Sequence, residues 1–527
     1  MRTESSHTMR PMRVLALVWV LGASTLALAE EAYTPPAFLT QTPPLPASAD
    51  PKMVKRLDLA EALRIALRNN LDVVLERKAV SIAARGVDAA EGALYEPTLT
   101  AGYGHGDSQS PPSTSQEGNA GDILNFTTDD WRLGIAKRFS PGTRLELDMS
   151  NGRAKSSLGT AVAPLNYRSR LSFGISQPLL RGFSTDLVVP QVDVLRAKLA
   201  SKRERAQLVI AVTEVITRAE AAYWNVLQAL YRYDLAVRTQ QGAEEQMAVT
   251  RRQIESGTLP PADAIGAEST FAQRRLEVVQ AEQAIEQSWD ALRAVLNLPR
   301  EEWARPILPT DVPAFKAVGL TPEQALETAI GNRPELAQLD VDLKSALLSI
   351  RKSENDQLPQ LDVGLSTALV GQDTAYGAAL SQLGKADAWG WNVFVNFTWT
   401  PMQRASKAAT EVARLQHEQA TVRREQVVQN VWFEVRDAVR DQTGAERQLR
   451  AATRFRELAE QSLAIEQRKF LTGTAQNIDV AQRQDAVARA RLAELDALLA
   501  HNRATTTVLR ATGRLLPERH IEIERGD

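Results

Sequence analysis

The chain has 527 residues, 62 of them basic and 64 acidic, and no cysteine. That length holds several ordinary domains or one elongated duplicated one. The near-cancelled charge, without a run of Lys and Arg, argues against a nucleic-acid partner. The missing cysteine leaves no thiol for a disulfide or a lipid anchor.

Arg2, Arg10 and Arg13 precede the apolar run Val14–Leu21 and then Ala27-Leu28-Ala29. This order predicts a signal peptide over residues 1–29. Residues 30–56 are rich in proline and are expected to be an extended, poorly packed lead-in. Beyond the signal no window holds about 18 uninterrupted apolar residues, so a membrane can be spanned only by strands closed into a barrel.

A helix is predicted from Leu57 to Leu94. After Pro97 the period changes to two: Leu99, Ala101 and Tyr103, then Trp131, Leu133 and Ile135. Leu145, Leu147 and Met149 alternate likewise, as do Leu171, Phe173 and Ile175. Alternation puts one strand face against an apolar medium and the other against a polar one. Gly106–Gly121 and Asn151–Asn166 read as polar connecting tips. Trp131–Phe139 and Thr143–Ser150 flank Ser140-Pro141-Gly142 and read as a hairpin.

Pro178 suits the point where a strand gives way to a helix. Beyond it Val212, Ile216, Ala219, Tyr223, Val226, Leu230, Tyr233 and Val237 form a heptad seam on a helix of about 70 residues, roughly 105 Å long. Gly257 is placed to end this helix in the left-handed conformation. Pro260, Pro261 and Asp263 suit the start of the next helix, which reaches Leu298.

The pattern then repeats. Leu57-Asp58-x3-Ala62-Leu63-x2-Ala66-x2-Asn69 returns as Leu320-Thr321-x3-Ala325-Leu326-x2-Ala329-x2-Asn332. Pro97 is answered by Pro359, Pro178 by Pro401, and Gly257-Thr258-x4-Asp263 by Gly473-Thr474-x4-Asp479. The expected division is a first repeat over 57–300, a linker over 301–319, a second repeat over 320–516 and a polar tail over 517–527. In the second repeat, strands are predicted at Leu361–Leu365 and Trp389–Trp399, separated by a polar loop, Gly371–Ala388. Trp389, Trp391 and Trp399 share one strand face, as at a membrane interface. Val428, Trp432, Val435 and Val439 match the first seam at a spacing of 216, whereas the prolines stand 223 apart. The second long helix is thus expected to be seven residues shorter, a deletion that keeps heptad register.

No catalytic chemistry emerges. His7, His105, His417, His501 and His520 are scattered, and no nucleophile sits in a strained elbow. Gly102-x-Gly104-x-Gly106 lies in a strand pattern and leads into no helix, so it is no nucleotide fingerprint. No metal, cofactor or catalytic residue is predicted.

The paired Leu-x4-Ala-Leu helix starts, the strand exit Ser176-Gln177-Pro178-Leu179-x2-Gly182 and the two Gly-x5-Asp turns together resemble the TolC-like outer membrane efflux protein family. The resemblance runs from Leu57 to about Leu516. It implies an α+β membrane protein: a homotrimeric β-barrel in outer membrane lipid, four strands per subunit, continuing into a periplasmic α-helical coiled-coil barrel. The hairpin at 131–150 exceeds that count, and either extends the barrel or sits beside it. Implied too is passive export, with a periplasmic adaptor and an inner membrane transporter as partners. The tips Gly257, Thr258, Leu259, Pro260, Gly473, Thr474 and Ala475 would meet the adaptor. Asp479 falls where the family places an aspartate ring at the tunnel entrance, and Gln482 where a second ring stands. Ala475 replaces the family's latch arginine, whose partner position is Asp263. A competing reading is a periplasmic coiled-coil adaptor or scaffold with a small sheet domain.

Overall fold

The computed structural model describes residues 33, 36–40, 43–46, 50–112, 123–156, 165–257, 260–315, 319–472, 474 and 477–523. The expected signal peptide lies outside them.

The Pro-rich segment is better packed than expected. Its short helix α1 (Ala37–Thr40) carries Leu39, which is 1% exposed and whose carbonyl accepts from Tyr231 Oη at 2.8 Å. Proline stiffens a chain, but apolar side chains beside it still gain by leaving water. Strand β1 (Lys55–Leu57) follows, then α2 (Leu59–Asn69), capped by Asp58, and α3 (Leu71–Tyr95). The single helix expected here is therefore two. Asn70 interrupts it at φ −61° and ψ 130°, and its side chain accepts from the Asp72 N–H that opens α3.

Four strands come next: β2 (Thr98–Ser110), β3 (Leu124–Arg138), β4 (Arg144–Ser156) and β5 (Leu165–Pro178). They outrun the predicted strands, because ladder bonding continues where side chains turn polar. Gly106–Ser110 and Asn151–Ser156 are strand, not loop. Helices α4 (Val192–Glu255) and α5 (Asp263–Leu296) form the first long hairpin. Strand β6 (Ile307–Pro309) lies inside the expected linker and pairs in parallel with β1, placing Ile307 and Leu308 in the core.

The second repeat contains α6 (Pro322–Asn332), α7 (Pro334–Asn355), β7 (Gln360–Asp373), α8 (Tyr376–Lys385), β8 (Trp389–Thr398), α9 (Arg404–Leu471), α10 (Asn477–Ala511) and the short α11 (Leu515–Glu518). The break between α2 and α3 recurs between α6 and α7, at Arg333 with φ −75° and ψ 124°. Pro334 enforces it, since the residue before proline avoids helical backbone. Helix α8 occupies the expected polar loop.

Six strands make one sheet, in the order β2-β3-β4-β5-β7-β8, and every neighbouring pair is antiparallel. The four strands implied by resemblance are exceeded because the β3–β4 hairpin stands inside the ladder, between β2 and β5. The repeats meet through β5 and β7, from Tyr167 opposite Asp373 to Pro178 opposite Asp362.

The α4 seam is buried as expected, from Val212 to Tyr233. On α9 the buried stripe is Val431, Val435, Val439, Gln442, Ala445 and Leu449. This repeats Leu208, Val212, Ile216, Ala219, Ala222 and Val226 at the 223-residue spacing of the prolines. Trp432 is 40% exposed and Val428 half-buried, so the spacing of 216 is wrong for this stretch. A slip of seven leaves heptad register unchanged, so periodicity could not separate the two. Nor is α9 the shorter helix. It has 68 residues against 64 in α4, about 102 Å against 96 Å, because α9 starts soon after Pro401.

The shorter helices flank the long ones end to end. Asn70 Nδ2 donates to Val295 O and Asn297 Nδ2 to Asn69 O, each at 2.9 Å, fixing the end of α5 against the α2–α3 break. Tyr223 on α4 ties down both chain crossings: its hydroxyl donates its one proton to Asp311 Oδ2 at 2.6 Å, accepts from the Asp311 N–H at 3.2 Å and lies 3.0 Å from Leu57 O. Burial, then the Asp311 carboxylate, pushes this phenol well above its ordinary pKa.

Candidate functional site

The sheet has two chemically distinct faces. Residues that share a face across the ladder are fixed by register: Tyr103 opposes Trp131, Leu133 opposes Met149, and Leu147 opposes Phe173. The row continues through Ile175 opposite Leu365 and Leu365 opposite Val393. One face therefore carries an apolar band from edge to edge, and toward the loop end of the strands the same face turns polar, with Asp129 held by His105 at 2.7 Å and Arg153 at 2.9 Å. Trp389, Trp391 and Trp399 stand on the band or at its margin, 66%, 65% and 54% exposed. The opposite face carries Thr100, Arg132, Asp148, Arg170 and Ser366, which line a hollow of about 630 Å³. A hollow spanning several strands identifies the polar face as the concave one.

Helix α8 lies over the apolar side at the loop end of the strands. Tyr376 stacks edge-on to Tyr167, with ring centroids 6.1 Å apart, and Ala379 is fully buried. A Cβ at Gly371 would stand 1.9 Å from Ala379 O, so only glycine admits the helix at this distance. Beneath α8, Ser169 Oγ donates to Asn151 Oδ1 at 2.6 Å. That polar pair would be costly against hydrocarbon and is covered by protein instead.

The strand exits are joined at one point. Pro178 ends β5, and Gly182 (φ 82°) donates its N–H to Asn355 Oδ1 at 2.7 Å. Asn355 Nδ2 donates back to Phe183 O at 2.9 Å. This buried asparagine from the second repeat holds the junction of the first. No local signal marked it. Pro401, the other expected junction, lies exposed between β8 and α9.

At the far ends of the hairpins, Gly257 closes α4 with φ 71°, as a left-handed cap requires. Pro260 and Thr474 are exposed, and Asp263 begins α5, also exposed. Thr258, Leu259, Gly473 and Ala475 lie outside the described residues. Asp479 sits half-buried in the first turn of α10, and Gln482 is exposed. The bond that ties the two hairpins here is one the sequence did not disclose. Arg274 on α5 reaches Asp485 on α10 at 2.6 Å and Glu277 at 3.0 Å. Its partners stand 211 residues apart, beyond any local pattern.

The overall fold is shared with solved outer membrane channels. The outer membrane channel CmeC of Campylobacter jejuni superposes with TM-score 0.64 at 14% identity, covering 87% of this chain and 86% of its own. The open-state outer membrane channel MtrE of Neisseria gonorrhoeae gives 0.60 at 16%, with 92% and 98% covered. The outer membrane protein VceC of Vibrio cholerae gives 0.59 at 13%, with 86% and 96% covered. Residues 325–514 match the family described as outer membrane efflux protein. The chain has the TolC-like outer membrane efflux fold. No curated protein matches the sequence.

Within this fold the Arg274–Asp485 bond lies just inboard of the tips, where the two hairpins of one chain face each other. Asp485 is 40% exposed at its side chain, so the pair contributes no more than about 1 kcal/mol to stability. Its consequence is positional. Arg274→Ala, Asp485→Ala and the double variant are expected to show a coupling below about 1 kcal/mol in denaturant unfolding. All three variants should speed hydrogen exchange at both tips to the same degree. Exchange that changes only in α5 would show that the bond does not join the hairpins.

Proposed function

We propose that the protein is the outer membrane channel of an export system, passively conducting solutes from a periplasmic tunnel to the exterior. The observation that carries this is the sheet. Its outer strands, β2 and β8, pair with nothing else in the described chain, and one face carries an apolar band that crosses all six strands. Unpaired backbone and an apolar face are tolerated together in lipid only when the sheet closes into a barrel. One chain supplies too few strands for an open bore, so copies share the barrel. Exposed apolar side chains along the helices, among them Leu75, Ile82, Val422 and Phe455, call for cover of the same kind. A homotrimer follows from the resemblance to the efflux channels, whose periplasmic adaptor and inner membrane transporter are the partners proposed here. A periplasmic adaptor or scaffold, the competing reading, would have no use for an edge-to-edge apolar sheet face.

Membrane fractionation with crosslinking is expected to recover an outer membrane trimer. A soluble periplasmic monomer would end this reading.

The adaptor is proposed to dock on the helical tips, because Gly257, Pro260 and Thr474 are exposed there. Photo-crosslinkers at Pro260 and Thr474 should capture a periplasmic partner in cells. Capture only of this chain would place docking elsewhere.

The tunnel entrance is proposed to lie near Asp479, which three copies would bring together around one axis. Clustered carboxylates attract multivalent cations. In planar bilayers, trivalent cations on the periplasmic side are expected to block conduction. Asp479→Asn should weaken that block at least tenfold, and an unchanged block would leave this aspartate as a helix-terminal charge.

A further inference from the structure

The β3–β4 hairpin has full ladders on both sides. Thr98 to Ser110 of β2 pair with Ala136 to Leu124 of β3, and β4 is matched along its length by β3 and β5. At its periplasmic turn the hairpin is locked into the body. Gln177 Nε2 donates to Pro141 O at 3.1 Å, and Thr143 bonds the same glutamine. Ser140 Oγ meets Tyr95 Oη at 3.4 Å. Gly142, at φ 88°, sits where a Cβ would come within 2.9 Å of Pro178. An appendage beside a barrel would show none of this.

Direction matters as much as attachment. Because all five pairings are antiparallel, β2 and β8 at the two edges run in opposite directions. The β2 edge of one copy can then meet the β8 edge of the next in an antiparallel ladder, and the ring closes without a defect. Two strands are the smallest insertion that preserves this.

We infer that three copies enclose an 18-stranded barrel, wide enough at its outer mouth for bulky hydrophilic cargo. The inference rests on the trimeric channel reading above. Barrel diameter grows in proportion to strand number. With strands about 4.8 Å apart and tilted about 40°, 18 strands give roughly 36 Å between backbones, against roughly 24 Å for 12. The added wall also supplies charge. On the concave face β3 and β4 present Asp130, Glu146 and Asp148 with Arg132, Arg138 and Arg144, three of each sign. β2 and β8 offer Thr, Ser, Gly, Asn and Phe394 there, without a charge. With Arg168 and Arg170 of β5 and Asp362 of β7, the concave face of one subunit carries five basic and four acidic residues, and a wide bore so close to charge balance suits a hydrophilic polymer or folded polypeptide more than a small apolar compound.

The natural chain lacks cysteine, so single thiols report without background. Asp148→Cys, or Ser150→Cys should the first not assemble, places a thiol on the concave face of β4. Leu147→Cys places one on the lipid face. In intact cells, a maleimide on a polymer coil about 25 Å across should label position 148 or 150 from outside and leave 147 unlabelled, because only the wider bore admits it. Labelling by a small water-soluble maleimide but not by the polymer would overturn the wide mouth. Equal protection of both faces in a folded trimer would put the hairpin outside the wall. Failure to recover any trimer would instead overturn the channel reading on which this inference depends.

Discussion

Backbone hydrogen bonding is the constraint on which the rest of this architecture depends. Hydrocarbon offers an N–H or C=O no partner, and each one left open costs several kcal/mol. A six-stranded sheet with two open edges and an apolar face is therefore an incomplete object. In the channel proposed above it is completed when its edges find one another across copies. From that requirement come the even strand number, the opposite directions of β2 and β8, and the way the hairpin enters as a pair of strands.

The helical part solves a different problem, namely how to hold hairpins about 100 Å long in register when heptads look alike. Apolar seams drive association but tolerate slips of seven. Polar contacts at defined heights remove that freedom. Asn70 and Asn297 fix the upper end of α5. Glu434 accepts from Arg333 at 2.6 Å and from Arg510 at 3.2 Å, serving the second repeat in the same place. Fully buried Glu494 meets Arg456 at 2.6 Å, and Thr506 donates to Glu220 at 2.9 Å across the two hairpins. Buried ions of this kind contribute little net stability against apolar replacements, and their value lies in specifying one alignment among several.

Much of this was legible in the residues. Alternation located all six strands and the residues that share a face, because a period of two is a local consequence of backbone geometry. The α4 seam and the glycine cap at Gly257 were legible for the same reason: each depends on neighbours within a turn or two. The breaks at Asn70 and Arg333 were not, although Pro334 marks the second. Helix-forming residues on both sides conceal a single extended residue whose partners come from another helix. Strand β6 escaped notice because three residues carry no period, and its existence depends on β1 some 250 positions away.

The sequence by itself determined the duplication, the two-faced strands and the turn chemistry, since those are set by residue order and short-range sterics. Only the tertiary structure decided the strand count, the seat of the β3–β4 hairpin, the 223-residue alignment of the helical seams and the Arg274–Asp485 bond. Each of these pairs groups far apart in the chain. Several alternative pairings satisfy the same local pattern, and the choice among them is made by simultaneous packing and hydrogen bonding in three dimensions.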